Sequence, residues 1–527
     1  MMLNYLPFLS SIMLVLAFRF NSLGWITFFA LVPLFIFIQY ANKRDYSSKK
    51  KFWYLYSSSI VFWIFLTSWI IGVKPQLWAG IAGNTVGSLV YMTWLLVILF
   101  WSLGSAFISY FLSRKTTKLE NYSTTLIIFP LLWALVYYLN SWLFSFVVYG
   151  KGGTLGPFWN FGNLGFQLAD TPLGFVSRFI GLFGSEALVV LINVAIYYAF
   201  LKKYRPIVMT LIIASFLSFL SFLIYQPNGK NINVAAMQLK SGDNGKYLPE
   251  IHKISIDNKL SEKNISLFVI PESISFFTQP QSSIYANSVI NNILNKSNGF
   301  SVAGGEASTD NYKSERIIYR DKNGNKINEQ EKNFLIPGGE YSPNELNTMF
   351  SLLNKNNLRT QYQIFRVVKK GRHPEYPFKY NSIYYGTLSC SGIIAPQLYQ
   401  EMTKKGANIL VDSSELDILR NSPNFFNQTR QIARFQTIAN SRPFVQATYG
   451  GYSYIFDANG NTKTETTNFD TNIISETVKT SSRVTVYSKY GEIIVPISII
   501  VLAYFGLGLN TKARKARKAS RSSLRKQ

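Results

Sequence analysis

Leu267-Phe268-Val269-Ile270-Pro271-Glu272 is a short apolar run that ends on a proline and a carboxylate. Two distant segments have the same form: Lys332-Asn333-Phe334-Leu335-Ile336-Pro337-Gly338-Gly339-Glu340 and Tyr384-Tyr385-Gly386-Thr387-Leu388-Ser389-Cys390. Short apolar runs bounded by Gly and Pro predict buried strands. Similar runs fall at 232–239, 300–303, 408–411, 444–448 and 453–456, with helix-compatible stretches at 283–296, 395–405 and 426–441. Strands alternating with helices predict an α/β architecture. Asn323-Gly324 and Asn459-Gly460 mark turns. The three quoted segments also bring together a carboxylate (Glu272), an ammonium (Lys332) and the only thiol of the chain (Cys390). Such groups can serve as base, oxyanion-stabilising charge and nucleophile, the set needed to move an acyl group.

Taken singly, each residue has an ordinary explanation. A lone cysteine is usually a small buried hydrophobe. A glutamate after a proline at a strand end often opens a helix, and a lysine before an apolar run is usually solvated. Their joint occurrence is what raises the chemical reading.

Around this α/β region the composition changes sharply. Apolar segments at about 6–18, 24–40, 53–71, 85–112, 123–148, 175–201 and 207–225 precede it, and another at 493–509 follows. Most approach the ~20 residues a bilayer span requires. The expected organisation is therefore a membrane region with seven helices over 1–227, a folded domain over 228–486, a last membrane helix over 487–510, and a basic cytoplasmic tail over 511–527. Lys43, Arg44, Lys49, Lys50 and Lys51 follow the second segment, Arg114, Lys115 and Lys118 the fourth, and Lys202, Lys203 and Arg205 the sixth. The alternate loops carry only Arg19, Lys74 and Lys151. The positive-inside rule then predicts eight spans, both termini in the cytoplasm and the 228–486 domain outside. The tail, with eight Lys/Arg and no acid over 512–527, agrees with that orientation. Arg178 and Glu186 lie within the sixth segment. Arg178 is placed to snorkel to an interface, whereas Glu186 calls for a polar partner or a substrate role.

The formal charge of +26 does not predict a nucleic-acid partner. Residues 228–486 hold 29 Lys/Arg against 22 Asp/Glu, a net +7 for the whole domain, and much of the remaining excess brackets the apolar segments. One cysteine and two histidines, His252 and His373, leave no basis for a disulfide, a metal centre or a cofactor. Neither histidine lies near a GxSxG elbow, which argues against a Ser-His-Asp hydrolase.

Several further segments carry a family resemblance. These are Leu16-Ala17-Phe18 through Leu23-Gly24-Trp25 to Ala30-Leu31-Val32-Pro33-Leu34, and Pro157-Phe158-Trp159-Asn160-Phe161-Gly162-Asn163-Leu164-Gly165-Phe166. Lys246-Tyr247, Pro271-Glu272, Lys332 with Leu335, Pro337 and Gly339-Glu340-Tyr341, Ser441-Arg442-Pro443 and Gly451-Tyr452-Ser453 follow in order. The domain resembles the nitrilase superfamily, and the chain as a whole resembles the apolipoprotein N-acyltransferases. The resemblance implies a polytopic α-helical membrane bundle with an extracytoplasmic α-β-β-α sandwich, in the inner membrane of a bacterium. It implies Glu272, Lys332 and Cys390 as catalytic residues, with Glu340 and Tyr247 supporting the site or the substrate. It further implies a monomer that takes a phospholipid acyl donor and an apolipoprotein acceptor through a cysteine thioester. Alternatives are a membrane-tethered amidase and a catalytically silent lipoprotein-binding scaffold. The chain departs from the family pattern at Cys390-Ser391-Gly392, where Cys-Tyr-Glu is usual, and at Asp412-Ser413-Ser414-Glu415, where the family usually carries Asn-Asp-x-Trp. Tyr247 stands where a tryptophan is usual. Phe276-Phe277 and Phe425-Phe426 are expected in loops that cover the site or dip toward the bilayer.

Overall fold

A computed structural model describes residues 2–73, 83–113, 122–241, 247–272, 280–309, 312–352, 368–419 and 422–505. The 511–527 tail, Phe276-Phe277, Lys74, Arg114, Lys115, Lys118 and Lys246 lie outside the described residues. The N-terminal part consists of helices α1 (Leu6–Arg19), α2 (Val32–Lys43), α3 (Ser48–Leu66), α4 (Gly83–Ser113), α5 (Tyr122–Val147), α6 (Ser177–Phe200) and α7 (Arg205–Ile224). Among the described residues six helical stretches are long and apolar enough to cross a membrane: Met2–Arg19, Asn21–Lys43, Val90–Ile108, Thr125–Val147, Pro172–Phe200 and Arg205–Ile224. Their apolar side chains are only partly consumed by packing. On α7, Ile212, Phe216 and Phe219 remain exposed, as a lipid-facing surface requires. The third expected span is α3, whose first turn carries Lys49-Lys50-Lys51; the eighth is represented by a shorter apolar helix, Ile494–Phe505.

Two expected spans are interrupted. The second begins as a 3-10 stretch, Asn21–Phe28, before α2 starts with Pro33 in its first turn. A proline fits there because that amide has no helical acceptor. In α6 the backbone breaks at Gly181 (φ 69°), and the restarting turn presents free amides. Leu182 N and Phe183 N donate to the two oxygens of the Glu492 carboxylate, each at 3.0 Å.

The domain contains β1 (Asn231–Leu239), α8 (Tyr247–Asp257), β2 (Ile265–Ile270), α9 (Pro280–Leu294), β3 (Phe300–Thr309), β4 (Tyr312–Asp321), β5 (Lys326–Glu331) and α10 (Asn344–Leu352). It continues with β6 (Phe378–Tyr380), β7 (Ile383–Ser389), α11 (Pro396–Lys404), β8 (Ile409–Glu415), α12 (Pro423–Asn440) and β9 (Phe444–Tyr449). The remaining strands are β10 (Tyr454–Phe456), β11 (Thr462–Glu465) and β12 (Asn472–Lys479). The strands form two leaves, β5-β4-β3-β2-β1-β12 and β6-β7-β8-β9-β10-β11. They join where Gln238 and Leu239 of β1 pair with Thr448 and Tyr449 of β9.

The period of two along each strand sorts side chains between layers. Val234, Ala236, Leu267 and Val269 turn inward and meet Tyr385, Val411 and Val445 of the other leaf in one core. Ala235, Met237, Phe268 and Ile270 turn outward under Leu248 and Ile251 of α8 and Ile290 and Ile293 of α9. Both faces being covered is why these strands read as continuous apolar runs. The second leaf turns Leu388, Leu410 and Phe444 outward against Tyr399 and Met402 of α11 and Ala433 of α12, in a cluster that continues into bundle residues such as Phe37 and Trp63. The order is α-β-β-α, with the second outer helix layer seated on the bundle.

Most expected strands and all three expected helices form. The 334–336 run is the exception: it is an irregular arm after β5. Pro337-Gly338-Gly339 turns the chain back, with Gly338 at φ 77° and Glu340 N donating to Ile336 O at 2.9 Å. Phe425 and Phe426 are also not in a loop. Pro423 starts α12, and both rings are buried in it, Phe425 against Trp69 and Phe426 against Tyr452.

Arg178 does not snorkel. Its guanidinium donates to Ile438 O at 3.0 Å, Ala458 O at 3.2 Å and Asn459 Oδ1 at 2.8 Å, tying α6 to the domain. Glu186 accepts from Trp133 Nε1 at 3.1 Å and Asn163 Nδ2 at 2.8 Å, so it anchors the 157–166 loop. That loop puts Phe158 and Trp159 against Phe334 and Phe161 against Trp69.

Candidate active site

Glu272 stands two residues beyond the end of β2, and Pro271 ends the strand's hydrogen bonding. Its side chain passes Gly304 of β3 at close range. A Cβ at position 304 would lie 3.0 Å from Glu272 Cγ and 2.7 Å from Ser389 Oγ, so only glycine fits without displacement. Lys332 follows β5 directly, its amide bonded to Glu315 O at 2.8 Å. The arm that turns at Pro337-Gly338-Gly339 returns Glu340 to it. Lys332 Nζ lies 2.5 Å from Glu340 Oε1 and 3.3 Å from Glu272 Oε1. The other Glu340 oxygen accepts from Ile336 N at 2.7 Å, which locks the arm.

Cys390 comes from the opposite leaf. It follows the last residue of β7 with φ 44°, in the left-handed region, before a short 3-10 turn, Cys390–Ile394. A non-glycine residue there costs on the order of 1–2 kcal/mol, and such strain concentrates at functional sites. The surrounding contacts hold it. Ser389 Oγ donates to Glu272 Oε1 at 2.6 Å, Ser391 Oγ to Phe334 O at 2.5 Å, and Cys390 Sγ to Glu415 O at 3.4 Å. Beside it, Ser413 Oγ of β8 accepts from Gly304 N at 2.8 Å and donates to Ile270 O at 2.7 Å, stitching the leaves together behind Glu272.

Thus Glu272, Lys332, Glu340 and Cys390 converge at one place. Tyr247 is the first residue of α8, and the residues just before it lie outside the described ones.

The electrostatics follow from burial. Lys332 and Glu272 are 1% and 3% exposed, so neither is screened by water. Burial would lower the Lys332 ammonium, but the Glu272 and Glu340 carboxylates outweigh it and hold the charge well above the usual lysine range. Burial and the Glu272 carboxylate push the Cys390 thiol well above its normal range, against the pull of Lys332. Both effects favour the neutral thiol over the thiolate. Asp412 of β8 is a further buried acid, held by Tyr399 OH at 3.1 Å and by the Ser414 hydroxyl. Burial pushes its carboxyl up to about 7. In the sequence Ser389 is only the end of a strand and Asp412 only part of a departure from the family pattern; their places next to Cys390 and on the neighbouring strand are the available signal.

Cys390 also touches an apolar wall. Leu416, Phe425 and Phe426 pack with Cys390, Trp69, Phe161 and Tyr452. Beyond Trp69 lies a cavity of about 360 Å³ lined by Phe18, Arg19, Phe65, Trp69, Pro423 and Asn424, among others.

Facing leaves covered by helices and joined to a helical bundle define an α-β-β-α sandwich on a polytopic membrane-type bundle. Comparison with known proteins finds similar chains. Residues 10–195 match the family model of the apolipoprotein N-acyltransferase N-terminal domain. The apolipoprotein N-acyltransferase of Shewanella oneidensis is 23% identical over 408 residues, covering 73% of each chain. That of Rickettsia typhi is 22% identical over 401 residues, covering 73% of this chain and 76% of the relative. Among solved structures, a carbon-nitrogen hydrolase from Helicobacter pylori G27 is 15% identical and covers 47% of this chain and 89% of its own, with a TM-score of 0.35. The chain is thus similar to apolipoprotein N-acyltransferases over 73% of its length, and among its described residues six helical stretches are long and apolar enough to cross a membrane.

Proposed function

We propose that this chain transfers a fatty acyl group from a membrane phospholipid to the N-terminal amine of a diacylglyceryl-cysteine lipoprotein, through a thioester on Cys390. The observation that carries this reading is the convergence of Glu272, Lys332, Glu340 and Cys390 in a domain seated on a membrane bundle. Glu272 removes the thiol proton as Sγ attacks the ester carbonyl. Lys332 stabilises the oxyanion of the tetrahedral intermediate, and Glu340 holds Lys332 in place. As the ester C–O bond breaks, Glu272 returns the proton to the departing lysophospholipid alcohol. In the second half, the lipoprotein amine attacks the thioester and gives its proton to Glu272. The C–S bond breaks, and the thiolate recovers that proton. The wall of Phe161, Phe425 and Phe426 at Cys390 favours an acyl chain and excludes water, which favours aminolysis over hydrolysis. Tyr247 is assigned to the substrate side of the site.

The same proposal sets the enzyme in a bacterial inner membrane as a monomer. Residues 1–227 and 487–510 span the membrane, 228–486 lie on the periplasmic side and 511–527 in the cytoplasm. The alternation of basic and nearly neutral loops supports that orientation. Mass spectrometry of a lipoprotein N-terminus tests the reaction. A triacylated product that depends on this chain supports it; a diacylated product with and without the chain overturns it.

A further inference from the structure

The serines flanking the nucleophile bond to different partners. Ser391 Oγ donates to a backbone carbonyl, Phe334 O, on the arm that carries Lys332. Ser389 Oγ donates to the carboxylate of Glu272 itself, at 2.6 Å. It reaches Oε1, the oxygen that Lys332 Nζ also contacts at 3.3 Å. Among the described residues Glu272 Oε2 has no hydrogen bond. Both Ser389 and Glu272 are buried, at 5% and 3% exposure, and the missing side chain of Gly304 is what lets them meet.

A carboxylate held by two donors on one oxygen has little rotational freedom, and its second oxygen is left to accept a proton. We infer that Ser389 is a positioning residue: it fixes the Glu272 carboxylate through Oε1, so that Oε2 is the atom that takes the Cys390 proton. The inference rests on the acyl-transfer reading above. A hydroxyl donor also favours the ionised form of the carboxylate it bonds. Removing the hydroxyl therefore costs orientation and makes the base harder to keep charged. Among the described residues the other charged or titratable groups around Glu272 are Lys332 and Glu340 on the arm, Cys390 at the end of β7 and Asp412 on β8, with Glu315 acting on Lys332 from β4. All are retained when Ser389 is replaced, so a change in the pH profile reports the hydroxyl.

The experiment follows acylation of Cys390 in the full-length, detergent-solubilised protein with phosphatidylethanolamine vesicles, by intact mass, across pH. For Ser389→Ala the expected result is an acylation rate about tenfold lower at saturating lipid, the equivalent of one hydrogen bond to a charged group. Half-saturation should stay within about twofold of wild type, and the acid limb of the profile should move to higher pH. Ser391→Ala, which loses only a bond to a backbone carbonyl, should leave that limb in place. A wild-type rate with an unmoved limb in Ser389→Ala overturns the inference, as does an equal shift in Ser391→Ala. A wild-type protein that never acquires an acyl mass on Cys390 fails differently: it overturns the acyl-transfer reading itself.

Discussion

The two leaves of the sandwich share a core but differ in what they carry and what they lean on. The first leaf and the arm after β5 supply the charges, Glu272, Lys332 and Glu340, and its outer face packs under α8 and α9. The second supplies the thiol, and its outer face is continuous with the bundle. The outer helices show the contrast most directly. On α9, Ala286, Val289, Ile290 and Ile293 are buried, and Asn291 between them is exposed, as an ordinary amphipathic helix requires. On α12, Asn424, Gln428, Gln431, Gln436 and Asn440 are buried as well. Most of their polar atoms find partners, Gln428 Oε1 and Gln436 Nε2 being exceptions. Asn424 Nδ2 donates to Phe65 O and Leu66 O at 2.9 Å, and Gln428 Nε2 to Leu66 O at 3.0 Å, carbonyls at the C-terminal end of α3. A polar helix can thus be an interior one when its neighbour is the end of another helix.

The division of labour between the leaves can be broken at several points. The largest effect is expected at the second leaf's thiol: Cys390→Ala should abolish both acyl-enzyme and triacylated product, because the chain has no other thiol. Next come the charges of the first leaf. Glu272→Gln and Lys332→Ala should each slow acylation of Cys390 by roughly 10²–10³, measured as single-turnover rates. Retention of wild-type rates in either would mean that the charges are structural. Glu340→Gln should cost less, about tenfold to a hundredfold, since Lys332 keeps Glu272 as a partner while losing a charged hydrogen bond.

Docking of the second leaf is tested by Asn424→Ala, which removes one side-chain donor from each of two α3 carbonyls while Gln428 Nε2 still reaches Leu66 O and Ser68 Oγ still reaches Phe65 O. Thermal or denaturant unfolding should report a loss of about 1–3 kcal/mol. An unchanged transition would show that the seam is held by apolar contacts alone. The smallest effect concerns Asp412, whose folded carboxyl titrates near 7 and so above its unfolded value. A raised carboxyl favours the folded state fully below the ordinary carboxylate range, and that contribution is lost as pH rises through about 7. The unfolding midpoint of the wild type should therefore fall over this window, and Asp412→Asn should flatten the fall.

Legibility in the sequence followed how local each cause was. The strand ending at Glu272 and the strand ending at Cys390 were visible because both faces are covered, which makes their apolar runs continuous. The Lys332 segment reads as a strand from its apolar run, whereas Pro337-Gly338-Gly339 dictates a turn that returns Glu340 to Lys332. Phe425 and Phe426 read as loop residues because the helix around them is polar, and nothing in α12 announces that its amides meet the end of α3. The role of Arg178 was hidden for the same reason, as its acceptors Ile438 and Ala458 lie on the far side of the sequence.

Alternation of strands and helices, the apolar segments, the basic loops and the three chemical groups are properties of neighbouring residues, so the sequence by itself determined the α/β class, the membrane character and the candidate nucleophile, base and ammonium. Which oxygen of Glu272 is held, why Gly304 must lack a side chain, that Ser389 and Ser391 bond to different partners, and that a polar helix is buried all depend on atoms far apart in the chain. Only the tertiary structure decided these, because hydrogen bonds and close contacts act over a few ångströms in space regardless of separation along the sequence.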